Sequence, residues 1–460
     1  DLGAITSLGD FSRPPDGDQL VIIESSKRIS LLPVLISTRV TMTRSPHSLL
    51  FIRYLAVSIL IGVTIVVAFV PIVDPYNQYR IVVRPGLNLI KPGLTRYQNE
   101  IKLTQVAEMR ADSLIFGNSR AEAGLDPDSH AFGRYGLSAY NLAIPGSSIS
   151  TAREQLEHLH QIGIKPKVII LGVEFLDFVA IPQQPPFALR QAHPIAEQHP
   201  VTRWFWRFDS LFSLASIKDA VRTLLIQHDN EAETITPRGF NPLNEYGPIV
   251  RRDGYYALFR QRAQENTKIY IKKAKGSLAL ADFTHLRAIL DMAAESRTDV
   301  KLIIYPYHAQ ILALFEEVGL WPTFEEWKNF MIHEVSDARQ RHPAARVALF
   351  DFSGYGSYNC EKIPGKEDRK ATTRWYWEAG HFKKELGAVM LDLVLPPANP
   401  LQIAHAETAT AGIFGFQLDE SNRTLNQQRV NLERSECMRT YPEMFAETAT
   451  LVAGARNPRR

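Results

Sequence analysis

The hydrophobic positions divide the chain into one long apolar segment and a later series of short apolar runs. Residues 54–73 contain no charged side chain. The run at 168–173 is apolar throughout, as parallel strands covered on both faces are, and runs at 114–116 and 300–305 also have the length of strands. Between these runs, apolar residues recur every three or four positions, as they do in helices that pack on a sheet. The pattern predicts an α/β domain preceded by a long apolar helix.

The order of these runs predicts the sheet. Strands are expected at 113–116, 140–143, 168–173, 300–305 and 347–350. Helices are expected at 96–108, 151–162, 286–293, 311–318, 324–339 and 386–393. Strands that alternate with helices pair in parallel and carry helices on their faces. We therefore expect a parallel sheet of about five strands.

The alternation is interrupted after the third predicted strand. Prolines break the chain at 182, 185 and 186, and an aromatic patch follows at Trp204, Trp206 and Phe212. Residues 178–276 are therefore predicted to be an insertion that covers the crevice as a cap. Its aromatic residues fit either a small satellite core or a platform on which carbohydrate stacks.

The apolar segment at 54–73 is long enough to cross a bilayer. Arg44 and Arg53 precede it, whereas Asp74 follows it and the next basic residue is Arg80. This bias places the amino terminus in the cytoplasm and the rest outside. The alternatives are a cleaved signal peptide, for which Ala68-Phe-Val-Pro71 provides no cleavage site, and a buried helix of a soluble domain.

These features define the expected organisation. Residues 1–53 form a cytoplasmic segment, of which 1–41 are interpreted as an unfolded upstream extension because Met42 begins what looks like a natural start. The anchor at 54–73 and a spacer at 74–109 follow. The main domain is expected at 110–177 and 277–395, and residues 396–460 form a polar, partly helical tail.

Composition narrows the class of protein. The net charge of +3 over 460 residues, without a basic stripe, argues against nucleic acid as a partner. The two cysteines, Cys360 and Cys437, are too few for a disulfide framework or a multi-cysteine zinc cluster. We interpret them as two unrelated thiols, although they could pair in an oxidising compartment.

Candidate chemistry lies beyond the ends of the predicted strands, where open α/β sheets bind ligands. Ser119 follows the first strand after Gly117 and Asn118, a pattern that a simple turn also explains. A serine hydroxyl needs a base to act as a nucleophile. Glu378 and His381 are three residues apart, a spacing that lets a carboxylate orient an imidazole. His308 follows the fourth strand and is either a substrate contact or a structural histidine.

Together these residues resemble the SGNH/GDSL hydrolase superfamily, and more specifically the membrane-anchored SGNH-like proteins of bacterial exopolysaccharide and cell-wall acylation. Gly117-Asn-Ser119 is similar to the Gly-Asp-Ser block, Asn141-Leu-Ala-Ile-Pro-Gly146 to the second block, and Glu378-Ala-Gly-His381 to Asp-x-x-His. The resemblance implies that Ser119 is the nucleophile, His381 the base and Glu378 its orienting carboxylate. It also implies oxyanion donors at the Ser119 and Gly146 N–H groups, beside Asn118.

The sequence departs from the family at two positions. Glu378 replaces an aspartate, which a longer side chain tolerates. Glu174 in Leu171-Gly172-Val-Glu174 stands where the third block has an asparagine donor, and an ionised carboxylate opposes the charge of an oxyanion. One such donor is worth about 10²–10³ in rate. Three explanations remain: Glu174 is protonated or turned aside with Arg120 as its partner, another group donates, or the domain is weak or inactive.

The resemblance implies a flavodoxin-like three-layer α/β/α domain in the periplasm, tethered to a bacterial inner membrane by one helix. The expected function is serine-dependent ester hydrolysis or O-acyl transfer on a periplasmic or cell-surface polysaccharide, without a metal or cofactor. The alternative is a non-catalytic module that binds polysaccharide or docks exopolysaccharide synthesis or export proteins.

Overall fold

The computed structural model describes residues 46–181, 200–395 and 414–457. The chain is divided into two compact units. The larger unit begins at Leu60 and contains the sheet. The expected extension at 1–41 and the prolines at 182, 185 and 186 lie outside the described residues.

The predicted apolar segment is a single helix, α1 (Pro46–Val73). Residues 49–73 are long and apolar enough to cross a membrane, with a mean hydropathy of 2.8. Most side chains from Leu49 to Thr64 are exposed. The last turn differs, because Val70 and Val73 are buried against other helices of the larger unit. The helix therefore begins before residue 54 and ends where the sequence predicts.

The strands are short, and most of the longer ones were predicted. In chain order they are β1 (Lys91–Pro92), β2 (Ser113–Phe116), β3 (Ala139–Asn141), β4 (Val168–Val173), β5 (Val179–Ala180), β6 (Thr234–Ile235), β7 (Ser277–Leu278), β8 (Asp299–Ile304), β9 (Val347–Asp351), β10 (Tyr376–Glu378), β11 (His381–Phe382) and β12 (Phe416–Leu418). Within the described residues, one sheet has the order β12-β9-β8-β4-β2-β3. Its strands run parallel except β12, which pairs antiparallel with β9. The prediction of an α/β fold with a mostly parallel sheet is confirmed.

The helices after α1 are α2 (Gln98–Met109), α3 (Ser119–Gly124), α4 (His130–Arg134), α5 (Ile149–Gln161), α6 (Pro200–Phe212), α7 (Leu214–Leu225), α8 (Tyr246–Asp253), α9 (Tyr255–Lys273), α10 (Leu280–Glu295), α11 (Ala309–Val318), α12 (Trp321–Arg341), α13 (Lys384–Val394), α14 (Arg423–Thr440) and α15 (Pro442–Arg456). The spacing that predicted α10 places Leu286, Ile289, Leu290 and Ala293 on one buried face. Burying each of the larger of these side chains stabilises the fold by about 1.5–3 kcal/mol.

The insertion is built in two parts. Its β6 pairs with β1 of the spacer, so this part packs on the segment that follows α1. Its α9 packs against β10 and α11 of the main domain. Trp206 packs against Tyr76, Leu94 and Ile101. At this residue the structure fits a small satellite core, one of the two alternatives for the aromatic patch.

The tail adds an edge strand that the sequence did not predict. Phe416, Gln417 and Leu418 pair with residues 349–351 of β9. A three-residue edge strand carries neither a long apolar run nor a clear alternation, so no periodic signal reveals it. Helix α15 then packs beside α11 and α9, and α14 packs against α15 and β12.

The interpretation of the cysteines as unrelated thiols is wrong. Cys360 and Cys437 form a disulfide, with their Cα atoms 6.0 Å apart and 77 positions between them in sequence. The bond joins the loop that follows β9 to α14. Only the fold brings these positions together, so their spacing carries no signal.

We expect the Cys360→Ser/Cys437→Ser variant to lose about 2–4 kcal/mol of unfolding free energy, because the cross-link restricts the unfolded chain. Denaturant titration of the full chain in detergent measures this loss. A reductant should lower the stability of the wild type by a similar amount and leave the double variant unchanged. Equal stability of oxidised wild type and variant would contradict the expectation.

Candidate active site

The turn from β2 into α3 exposes Ser119 at the carboxyl edge of the sheet. Gly117 has φ +144, and a Cβ there would come within 2.9 Å of the Ala121 Cβ and clash with the Tyr305 hydroxyl. Asn118 caps the helix, since its side chain accepts a hydrogen bond from the Arg120 N–H at 3.1 Å. Ser119 is the first residue of α3 and is partly exposed. Its N–H belongs to the first helical turn, whose amides have no partner within the helix.

The hairpin of β10 and β11 presents the other two candidate residues. Glu378 and His381 are paired across it, and the Gly380 N–H donates to Glu378 Oε2 at 2.6 Å. The buried Tyr376 donates its hydroxyl proton to the Pro306 carbonyl at 2.9 Å, which fixes the hairpin to the segment after β8. The hairpin therefore places Glu378 and His381 opposite each other, as their three-residue spacing suggested.

The structure brings Ser119, His381 and Glu378 together. His381 Nε2 lies 2.9 Å from Ser119 Oγ, although the two residues are 262 positions apart. His381 Nδ1 hydrogen-bonds the Glu378 carboxylate. A carboxylate only accepts, so Nδ1 carries the proton and Nε2 is left to accept from the serine hydroxyl. The serine and the imidazole are within the distance that proton transfer requires.

Glu378 is held as an anion although only 2% of it is exposed. Burial by itself would raise its pKa, but His381, Arg262 and the Gly380 N–H together lower this pKa to about 2. Arg262 Nε lies 3.2 Å from Glu378 Oε1. This arginine projects from α9 and also pairs with Glu265. Arg262 was not predicted, because one arginine on a helix within an insertion carries no motif.

Glu174 pairs with Arg120, the partner that one of the three explanations named. The two side chains form an ion pair, and the Tyr307 hydroxyl donates to Glu174 Oε1 at 3.1 Å. The guanidinium carbon of Arg120 lies 5.3 Å from the Tyr307 ring centre and 5.9 Å from that of Tyr305. Burial by itself would lower the pKa of Arg120. The charge of Glu174 outweighs this effect and raises the pKa above its ordinary value, so the arginine stays charged. The pair is neutral overall.

The loop that contains Gly146 packs beside the serine turn. Gly117 O accepts from the Ile144 N–H at 3.0 Å and from the Ser147 hydroxyl at 3.1 Å. Gly146 has φ +71 and is exposed, with open space where a Cβ would stand. A narrow cleft lies here. Its walls include Gly117, Asn118, Ser147 and Glu174, whereas Ser119 and His381 lie outside its lining. The sites named from residues 117–119, 144–147 and 171–174 are therefore neighbours.

Helix α3 is held in place by a buried ion pair. Lys102 of α2 donates to Glu122 Oε1 at 2.8 Å, to the Ala143 carbonyl at 2.5 Å and to the Gly239 carbonyl at 3.0 Å. Its side chain is fully buried. One ammonium thus links α2, the helix that begins at Ser119, the segment before Gly146 and the insertion. No pattern in the sequence indicates this contact.

His308 is a structural histidine and not a substrate contact. It is completely buried, caps α11 by accepting from the Gln310 N–H at 3.1 Å, and lies 2.8 Å from the Glu361 carbonyl through Nε2. Burial lowers its pKa to about 4, so the ring is neutral. Both ring nitrogens are occupied, and neither is available to a substrate in the cleft.

No protein-family model matches this chain, and no curated protein matches it. Among the described residues, no group of three or more histidine, cysteine, aspartate or glutamate side chains is placed to hold a metal ion. The observation that bears most directly on function is therefore the contact of Ser119, His381 and Glu378.

The depressed pKa of Glu378 predicts how stability changes with pH. The ionised form stabilises the fold fully above the ordinary pKa of 4.5, and this contribution is lost as the pH falls toward about 2. Glu378→Gln removes the titrating group. We expect the wild type to be more stable than this variant at neutral pH, and the difference to shrink in acid.

Urea titrations of both proteins, from neutral pH to about pH 3, measure that difference. At each pH, the unfolding free energy of the variant is subtracted from that of the wild type. The contributions of the carboxylates that both proteins share then cancel. A difference that stays constant across this range would contradict the assignment of an ionised, buried Glu378.

Proposed function

We propose that this protein is a serine-dependent acyl esterase or O-acyltransferase. The contact that supports the proposal is the 2.9 Å approach of Ser119 Oγ to His381 Nε2, with Glu378 on the opposite ring nitrogen. A serine, a base within reach and a third group that orients the base are the signature of an activated nucleophile. We further propose the SGNH type of flavodoxin-like three-layer α/β/α sandwich, for which the mostly parallel sheet is support.

The reaction begins when Ser119 Oγ attacks the acyl carbonyl carbon and its proton passes to His381 Nε2. The C–O bond to the leaving alcohol breaks as the imidazolium returns that proton to the alcohol oxygen, leaving an acyl-serine. Water or a sugar hydroxyl then gives its proton to His381 Nε2 as its oxygen attacks the acyl carbon. The bond from the acyl carbon to Ser119 Oγ breaks as His381 passes that proton to the serine oxygen, which releases the acid or the new ester. Glu378 fixes the tautomer and stabilises the imidazolium. Such proton transfer is worth about 10²–10⁴ in rate.

Two backbone groups are the proposed oxyanion donors. The Ser119 N–H lies at the amino end of α3, and the Gly146 N–H lies on the loop that is bonded to Gly117. Glu174 does not cancel their effect, because its charge is matched by Arg120. Asn118 supports the turn, since its side-chain oxygen Oδ1 accepts a hydrogen bond from the Arg120 N–H.

For the substrate we propose an acylated or acyl-accepting polysaccharide outside the cytoplasm, with the domain tethered to a bacterial inner membrane. The apolar helix α1 is support for the tether. The disulfide between Cys360 and Cys437 is support for the compartment, because such bonds persist where the surroundings are oxidising. The choice of a glycan, and of exopolysaccharide-machinery proteins as partners, depends on the family resemblance alone.

The second candidate is a non-catalytic module that binds polysaccharide or docks a synthesis or export complex. Glu174 favours it, because the position holds an acceptor in place of an amide donor. An esterase that lacks one oxyanion donor would be slower by about 10²–10³.

A fluorophosphonate probe separates the two candidates. We expect covalent labelling of the full-length protein in detergent, loss of labelling in Ser119→Ala, and retention in Ser147→Ala, a matched serine on the neighbouring loop. His381→Gln should label much more slowly, since the hydroxyl loses its base. Absence of labelling in the wild type, or equal labelling in Ser119→Ala, would leave the binding module as the better account.

The pairing of Arg120 with Glu174 predicts a non-additive pair of substitutions. Glu174→Gln leaves the Arg120 charge without its counter-ion, which should cost about 3 kcal/mol of unfolding free energy. Arg120→Met/Glu174→Met removes both charges. Its loss of unfolding free energy should be smaller than the losses in Arg120→Met and Glu174→Met added together. Additive losses in denaturant titrations would show that the two side chains do not interact.

A further inference from the structure

Helices α6 and α7 form a hairpin at the end of α1. Leu211 of α6, with Ile217 and Leu224 of α7, packs on a small cluster made by Val70, Val73 and Ala220. The hairpin therefore lies directly beside the last turn of the helix that is apolar enough to cross a membrane. This cluster is separate from the main core beneath the sheet.

A second apolar stripe on α7 is exposed. Leu214, Lys218, Val221 and Leu225 follow one another at intervals of four, three and four residues, which places them on one face of a helix. Leu214 is 86% exposed and Leu225 is 76% exposed. At 100° per residue, this stripe lies about a quarter turn around the axis from the stripe that contacts α1. One flank of α7 thus meets α1, and the adjacent flank presents leucine and valine outward.

Neighbouring segments extend the same kind of surface. Phe208 and Phe212 of α6 pair with their ring centres 4.6 Å apart, and Phe208 is 61% exposed. Ile81 and Val83, in the loop that follows α1, are also exposed.

That loop is held against the end of α1 by hydrogen bonds. The Asp74 carboxylate accepts from the N–H groups of residues 78–80. The Asn88 amide donates to the carbonyls of Ile72, Val73 and Val82. The exposed apolar side chains are therefore presented by ordered backbone.

Basic side chains lie among the apolar ones. Arg80, Arg84, Arg207 and Lys218 are all exposed on these same segments. Amphipathic helices that lie in a bilayer interface combine exposed apolar residues with Lys and Arg, which meet anionic headgroups. Several large apolar side chains exposed on neighbouring segments mark a binding site for a protein or a membrane. The continuity of these segments with α1 favours the membrane.

We propose that the outer face of the α6–α7 hairpin, with residues 81–83, inserts into the headgroup region of the bilayer that α1 enters. The apolar side chains dip below the headgroups while the basic ones contact lipid phosphates. The hairpin then acts as a second membrane contact, and it fixes how the domain stands on the bilayer. This inference depends on α1 being in a membrane and is independent of the chemistry at Ser119.

Site-specific fluorescence tests the contact. The full-length chain carries an environment-sensitive nitrobenzoxadiazole label at Leu225→Cys, attached without reductant so that the native disulfide stays closed. The matched control is Leu432→Cys on α14, where the side chain is 74% exposed. Each protein is placed at one copy per lipid nanodisc that contains phosphatidylglycerol and phospholipid brominated near the headgroup. A second label at Val221→Cys repeats the measurement one helical turn away.

We expect a blue-shifted emission and a loss of fluorescence to the brominated lipid at 225 and 221, and neither effect at 432. Water-like emission without quenching at 225 and 221 would overturn the proposal. In discs that hold one copy, that result would show that this face stays in water. Equal quenching at 225 and 432 would also overturn it, because the domain would then lie on the bilayer without a defined face.

Discussion

The candidate site depends on one buried carboxylate that has to remain charged. Removing Glu378 from water disfavours its ionised form, and the surrounding groups reverse that preference. The Gly380 N–H comes from the same hairpin, His381 from the facing strand and Arg262 from a helix of the insertion. Glu378 therefore stays ionised only when the β10–β11 hairpin is closed and α9 packs against it. The imidazole is thereby fixed with its free nitrogen toward Ser119, which the first turn of α3 holds in place.

The insertion is part of the site for the same reason. The sequence suggested a cap over the crevice, and the structure shows that α9 supplies a charge to Glu378 and that Gly239 supplies a carbonyl to Lys102. The other half of the insertion packs on the end of α1. One inserted segment therefore links the candidate site to the region that we propose lies at the membrane.

Sequence patterns predicted the elements whose signal is local. The strands at 113–116 and 168–173 are continuous apolar runs, and the buried face of α10 follows a helical period. The spacing of Glu378 and His381 suggested their pairing, and the charge of Glu174 suggested Arg120 as its partner. What the sequence could not reveal depends on distant contacts. Arg262, Lys102, the disulfide and the edge strand β12 each acquire a partner only through the fold. His308 was ambiguous because a histidine after a strand fits either a core or a crevice, and only burial distinguishes them.

The most direct test of the central claim is a one-dimensional proton spectrum of the full-length protein. A proton on His381 Nδ1 that is strongly hydrogen-bonded to an ionised Glu378 should resonate far downfield of ordinary imidazole protons. We expect this signal in the wild type and in Ser119→Ala, which keeps the carboxylate and the imidazole, and its loss in Glu378→Gln and in His381→Gln. A spectrum that is the same in the wild type and in Glu378→Gln would contradict the account, because the carboxylate would then not be what holds the imidazole toward the serine.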